Sequence, residues 1–207
     1  MINLYNTYIQ NSNLPYRYHK DTELLTTEKT KVAFNRLNEI KNNINDFVKE
    51  GNNLYIWSYI TGSGKTTWAS VLLKKYIANK SDRAFNANTP AYFINVLDLL
   101  ALKKASMNSI DARQELEKTE YKIKNSKLVV FDDIGMTTLS EYELTYLFAI
   151  IGHRLDNLKS CIFTSNLDPK DLAGSVGERL ADRITGYSEI IEFSDKYNFR
   201  GLEKENK

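Results

Sequence analysis

Five short apolar runs rich in β-branched and aromatic residues punctuate this chain, and a helical pattern separates each from the next. The runs are Leu54-Tyr55-Ile56-Trp57, Ala91-Tyr92-Phe93-Ile94, Leu128-Val129-Val130-Phe131, Cys161-Ile162-Phe163-Thr164 and Glu189-Ile190-Ile191-Glu192-Phe193. Most are continuous rather than alternating, as strands buried on both faces must be. Helical periodicity covers Thr66 to Ala78, Val96 to Lys104, Ile110 to Lys124, Glu141 to Asp156 and Val176 to Ile184. This alternation predicts an α/β fold: a five-stranded, mostly parallel sheet flanked by helices.

Upstream, Val32, Leu37, Ile40, Ile44, Phe47 and Val48 recur at helical spacing, and Gly51-Asn52-Asn53 forms a stop signal. Residues 1–50 therefore read as an N-terminal extension and linker helix, and residues 51–207 as the functional core. Residues 1–27 are rich in Asn, Tyr and Thr, with Pro15 their only breaker. The polar stretch Asn79 to Asn88 reads as a loop. Ser194 to Lys207 is too short for another domain, and its last residues, Glu203 to Lys207, are expected to fray.

Composition narrows the function classes. A chain of 207 residues, 42% hydrophobic and 26% charged, suits a single soluble domain with a full core. A net charge of +2 neither demands nor forbids a nucleic-acid partner. The lone Cys161 excludes an intramolecular disulfide and a cysteine-based zinc site, and His19 and His153 are far apart in sequence. No apolar run approaches the roughly 20 residues of a membrane span. Met1 to Gln10 lacks the basic start and apolar stretch of a signal peptide, so a cytoplasmic protein is expected.

The chemistry begins at Gly62-Ser63-Gly64-Lys65-Thr66, between the first strand and a helix. Glycines there let backbone N–H groups point at phosphate oxygens, and the helix N-terminus adds a favourable dipole. Lys65 is expected to reach the β- and γ-phosphates, and the Thr66 hydroxyl to sit on Mg²⁺, with Thr67 completing the loop. The first glycine of a G-x-x-x-x-G-K-[ST] pattern would fall at Tyr59. If that position requires positive φ, tyrosine is strained there; if not, the loop survives with a ring over its entrance.

The second half of such a site is Leu128-Val129-Val130-Phe131-Asp132-Asp133. An apolar strand ending in acids places Asp132 to hold Mg²⁺ and Asp133 to polarise an attacking water as general base. Two adjacent acids alone would be a solvated strand end; with Lys65 upstream they form an ATPase pair. Asn166 closes the fourth run. It can hydrogen-bond the γ-phosphate or the water if that strand neighbours the Asp132 strand, or it is a turn residue before Leu167-Asp168-Pro169.

These residues resemble the bacterial and phage helicase loaders of DnaC/DnaI type, with the transposition ATPases of IstB type close behind. Asn13-Leu14-Pro15-Tyr16-Arg17-Tyr18 is similar to the loaders' segment upstream of the ATPase core, and Phe131-Asp132-Asp133-Ile134-Gly135 to their acidic strand. Ile150 to Asn157, followed by Thr164-Ser165-Asn166, resembles their helix and sensor-one strand. Gly177-Glu178-Arg179-Leu180-Ala181-Asp182-Arg183-Ile184 resembles their box VII helix. The resemblance implies a P-loop NTPase core of the AAA+/ASCE class over residues 51–207, without an obvious C-terminal lid domain. Arg200 is the only late candidate for a second sensor, and about a dozen residues precede Asn13, short of the usual helicase-gripping domain.

By the same resemblance, Arg183 is the finger that reaches the γ-phosphate on a neighbouring subunit, with Arg179 assisting it or acting in cis. The alternative pairs both with Glu178 and Asp182. Arg154 recurs in the family pattern, where a structural ion pair is its plain alternative. Lys103, Lys104, Lys118, Lys122, Lys124 and Lys127 would touch single-stranded DNA, or form a solvated face interleaved with Glu115, Glu117 and Glu120. The function implied is a slow, partner-stimulated, Mg²⁺-dependent ATPase, bacterial or phage-encoded, that self-associates and loads a replicative helicase on single-stranded DNA. The alternatives are an IstB-like ATPase coating duplex DNA, and a nucleotide-gated inhibitor of a host loader with little turnover.

Overall fold

The computed structural model describes residues 4–20, 24, 26–80 and 90–193. All five apolar runs are strands: β1 (Asn53–Trp57), β2 (Ala91–Asn95), β3 (Leu128–Asp132), β4 (Ser160–Ser165) and β5 (Ser188–Glu192). They form one sheet in the order β2-β3-β4-β1-β5, every pair parallel. Each residue of β1, β3 and β4 is buried, which is why these runs carry no alternation. The edge strand β5 leaves Ile190 and Glu192 exposed, and mixes charge with apolar residues accordingly.

Of the expected helices, α4 (Lys65–Lys80), α5 (Val96–Ala105), α6 (Ile110–Asn125) and α7 (Glu141–Asp156) lie close to their sequence bounds. A capping box fixes the start of α7: Ser140 accepts from the Glu143 N–H while the Glu143 carboxylate accepts from the Ser140 N–H. Two expectations are corrected. The helix expected to run through Val32 to Val48 is two, α2 (Lys31–Asn42) and α3 (Ile44–Lys49). Asn43 breaks it, leaving helical geometry at φ −108° while its side chain donates to the Glu39 carbonyl. The helix expected over Val176 to Ile184 is the junction of α8 (Pro169–Val176) and α9 (Glu178–Gly186). Gly177 separates them at φ +75°, outside the helical region.

Two elements carried weaker signals. Asp168 and Pro169, which follow Asn166 and Leu167, are the N-cap and first residue of α8, with the Asp168 carboxylate accepting from the Lys170 and Asp171 N–H groups. The N-terminal helix α1 (Leu4–Asn11) is only eight residues long, too short for periodicity to declare itself.

The sheet separates two apolar layers. Leu54, Ile56, Phe93, Val130 and Ile162 point to one side, against α1 to α4. Tyr55, Trp57, Val129, Phe131 and Phe163 point to the other, against α5 to α9. Beyond α1, the Ser12 carbonyl accepts from the Phe93 N–H at 2.7 Å and the Asn13 side chain donates to the Phe93 carbonyl at 3.0 Å. The chain thereby runs along the edge of β2 and delivers Tyr16-Arg17-Tyr18, a 3-10 turn.

Arg154 ties the end of α6 to the start of β4 rather than making an ion pair. Its fully buried guanidinium donates to the carbonyls of Ile123, Ser126, Lys127 and Ser160 and to the Cys161 sulfur. It thereby satisfies carbonyls at the end of α6 that the helix cannot pair itself. The lysine group is divided. Lys103 lies over the Tyr146 ring, Lys122 over Tyr92, and Lys124 pairs with Glu120 at 3.6 Å, so these three are engaged within the chain. Among the described residues no helix is long and apolar enough to cross a membrane. Arg200 and most of the expected 79–88 loop lie outside the described residues.

Candidate active site

The loop after β1 leaves the sheet at Ser58, whose N–H still donates to the Ser165 carbonyl of β4 at 3.2 Å. Gly62 and Gly64 take φ of +79° and +96°, the conformations their lack of a Cβ permits. A Cβ at Gly64 would meet nothing within 4 Å, so that side of the loop is open. Lys65 is buried and folds over the loop, donating to the carbonyls of Ser58 at 3.2 Å and Ile60 at 3.0 Å and to the Ser63 hydroxyl at 3.4 Å. Thr66 and Thr67 follow in the first turn of α4.

Tyr59 is not among the residues with positive φ, so tyrosine sits there without backbone strain. Its ring packs edge-on against Trp57 at 5.1 Å, and its hydroxyl donates to Asp171 of α8 at 3.0 Å. More than half of the residue stays exposed at the loop's rim.

Asp132 ends β3, and β4 lies between β3 and β1, so the acid and the loop share one end of the sheet. The Thr164 hydroxyl donates to Asp132 Oδ1 at 2.6 Å and accepts from the Asp133 N–H at 3.0 Å. Thr66, in the first turn of α4, lies near enough to Asp132 to favour its charged form. Burial, then the adjacent Asp133 charge, push the Asp132 carboxyl up to about 6; Thr164, Thr66 and the Arg17 charge pull the other way. Asp133 turns out of the strand at φ +58°, and its Oδ2 accepts from Asn95 at 3.4 Å. That turn separates the two carboxylates, one buried beside Thr66 and one half-buried beyond it.

Asn166 lies one residue past β4, which does neighbour β3, and its amide donates to the Met136 sulfur at 3.1 Å. Arg179 and Arg183 are not brought to this cluster within the chain. Both approach the Phe148 ring of α7, at 5.5 and 5.3 Å from its centroid. Arg183 pairs with Asp156 of the same helix rather than with Glu178 or Asp182.

Sequence reasoning missed the contacts that Thr164 and Asn95 make with the two acids. Thr164, next to last in β4, and Asn95, last in β2, lie beside the acids on the strands that flank β3, a position only sheet order reveals. Arg17, in the segment Asn13 to Tyr18, lies over the Tyr18 ring, and its charge favours the ionised form of Asp132.

A sequence model of the family described as IstB-like ATP binding protein matches residues 6–200. The replicative helicase loader DnaC of Buchnera aphidicola subsp. Baizongia pistaciae is 29% identical over 130 residues, covering 63% of this chain and 49% of that protein. DnaC of Escherichia coli K12 is 26% identical over 154 residues, covering 73% and 58%. The chain thus spans about half the length of the curated relatives it matches. Among solved structures, a DnaC helicase loader superposes with a TM-score of 0.67 at 26% identity, over 86% of this chain and 98% of that one. A replication initiator DnaA bound to AMPPCP and single-stranded DNA shares the fold, with a TM-score of 0.68 at 18% identity over 93% of this chain and 55% of that one.

Proposed function

We propose, from the premise that this chain belongs to the IstB-like ATP-binding protein family, that it binds Mg·ATP and couples slow hydrolysis to loading a replicative helicase on single-stranded DNA. The observation that carries the reading is the burial of Asp132 at the end of β3, at the same end of the sheet as the phosphate loop, with β4 between their strands and its Thr164 hydroxyl on the carboxylate. Asp132 and Thr66 are hard oxygen donors, the set Mg²⁺ selects, and a buried carboxylate pressed by a second acid is relieved by a cation. Thr66 and Asp132 would hold the Mg²⁺, which when bound neutralises charge on the phosphate oxygens.

The remaining roles belong to the chain. Backbone N–H groups of Gly62, Ser63 and Gly64 cradle the phosphates, with Thr67 behind them, and Lys65 exchanges its loop carbonyls for phosphate oxygens. Asp133 takes the proton of the attacking water as the new O–P bond forms and the bond to ADP breaks. Asn166 orients that water. Arg183, assisted by Arg179, enters from a neighbouring subunit and offsets the charge developing on the γ-phosphoryl. Naming of the curated relatives as helicase loaders supports the partner and a cytoplasmic setting.

The test is ATP turnover and helicase loading. Asp133→Asn should keep nucleotide affinity and lose turnover by at least roughly 10²-fold. Undiminished turnover in that variant removes Asp133 as base. A protein that neither co-purifies with a replicative helicase in ATP nor changes its loading on single-stranded DNA is not a loader. The family match also favours a second reading, an IstB-like ATPase on duplex DNA. Assembly that needs duplex and ignores single strands would select it.

A further inference from the structure

Phe148, Gly152 and Asp156 stand at successive i, i+4 positions of α7 and so share one face. Arg183 lies along that face. Its guanidinium is 5.3 Å from the Phe148 ring centroid, a cation–π distance. Its Nη1 occupies space that a side chain at 152 would need, since a Cβ there would come within 2.8 Å. Its Nη2 pairs with Asp156 Oδ1.

Glycine weakens a helix interior relative to alanine, and here its missing Cβ is what admits the guanidinium. The Arg183 side chain is 26% exposed and Asp156 59%, so their pairing adds little to the fold and can be exchanged at the surface. Arg179 faces the same ring at 5.5 Å, so Phe148 keeps a cation when Arg183 leaves.

We infer that Phe148, Gly152 and Asp156 form a seat that holds Arg183 in cis until a neighbouring subunit presents ATP. Asp156 is then a positioning residue that acts through Arg183. This rests on Arg183 being the finger of the proposed function. The single carboxylate of Asp156 competes with a γ-phosphate of greater negative charge; ADP offers no γ-phosphate, and the arginine stays seated. The seat therefore makes assembly sensitive to which nucleotide the neighbour holds.

The experiment measures ATP turnover and sedimentation against protein concentration, in ATP and in ADP, with melting curves as a check on folding. Asp156→Asn removes the charge and keeps the shape; Gly152→Ala displaces the guanidinium without touching either charge. Each should lower the concentration for half-maximal turnover by roughly two- to fivefold, the range of an exposed ion pair. Each should also narrow the difference in assembly between ATP and ADP. Arg183→Ala should lose the concentration-dependent turnover, with Arg183→Gln in its place if the alanine variant does not fold. Wild-type curves from both Asp156→Asn and Gly152→Ala, with turnover lost in the Arg183 variant, overturn the seat and leave the finger standing. Wild-type turnover in the Arg183 variant at every concentration overturns the finger and the seat with it.

Discussion

Replacing Asp132 by asparagine should make the nucleotide-free protein more stable while disabling its cation site. Asp132 is buried, and its carboxyl is held at about 6 against an ordinary value of 3.8 by burial and the Asp133 charge. A shift of about two units corresponds to about 3 kcal/mol. Because the folded value is the raised one, the unfolded chain loses its proton first as pH rises. Stability is therefore full below about pH 4 and falls until about pH 6, after which the cost is constant. Asparagine does not titrate. Its carbonyl can accept from Thr164 as the carboxylate does at 2.6 Å, and its NH₂ can donate to the Thr66 hydroxyl. At about pH 7.5 Asp132→Asn should thus gain up to about 3 kcal/mol over wild type, about 6–12 °C in Tm for a chain of this size. The gain should close toward about pH 4. Urea and thermal unfolding across this range read the effect, and adding Mg·ATP should raise the wild-type Tm far more than the variant's. A variant no more stable than wild type near neutrality, or an advantage independent of pH, would refute the reasoning.

Arg154→Met should cost about 3–5 kcal/mol in urea unfolding, because the carbonyls of Ile123, Ser126, Lys127 and Ser160 lose their common donor. A loss under about 1 kcal/mol would mean those carbonyls find water. Gly51→Ala should cost about 2 kcal/mol by the same measurement, since φ is +75° and a Cβ would sit 2.6 Å from the Leu158 carbonyl oxygen. An unchanged urea midpoint would show that the turn after α3 relaxes freely.

The strands were legible because burial on both faces leaves continuous apolar runs, and the long helices because their periodicity persists over several turns. Local chemistry also identified the loop: no ordinary surface turn needs Gly62, Gly64 and Lys65 between an apolar strand and a helix. Short elements were hidden for the same physical reason in reverse. The helix α1 and the split at Gly177 depend on packing and on one backbone angle, and neither leaves a long pattern.

What the sequence by itself determined is therefore the α/β class, and the combination of the Gly62 to Thr66 segment with Asp132 and Asp133 as candidate chemistry. Only the tertiary structure decided the strand order that sets Thr164 against Asp132, the unstrained backbone at Tyr59, and the carbonyl cluster around Arg154. It alone also decided that Arg183 rests on Phe148, Gly152 and Asp156. Periodicity reports which face of an element is buried, a property of neighbours along the chain. Which side chains meet depends on how elements far apart in sequence stack, and a single sequence carries no direct record of that.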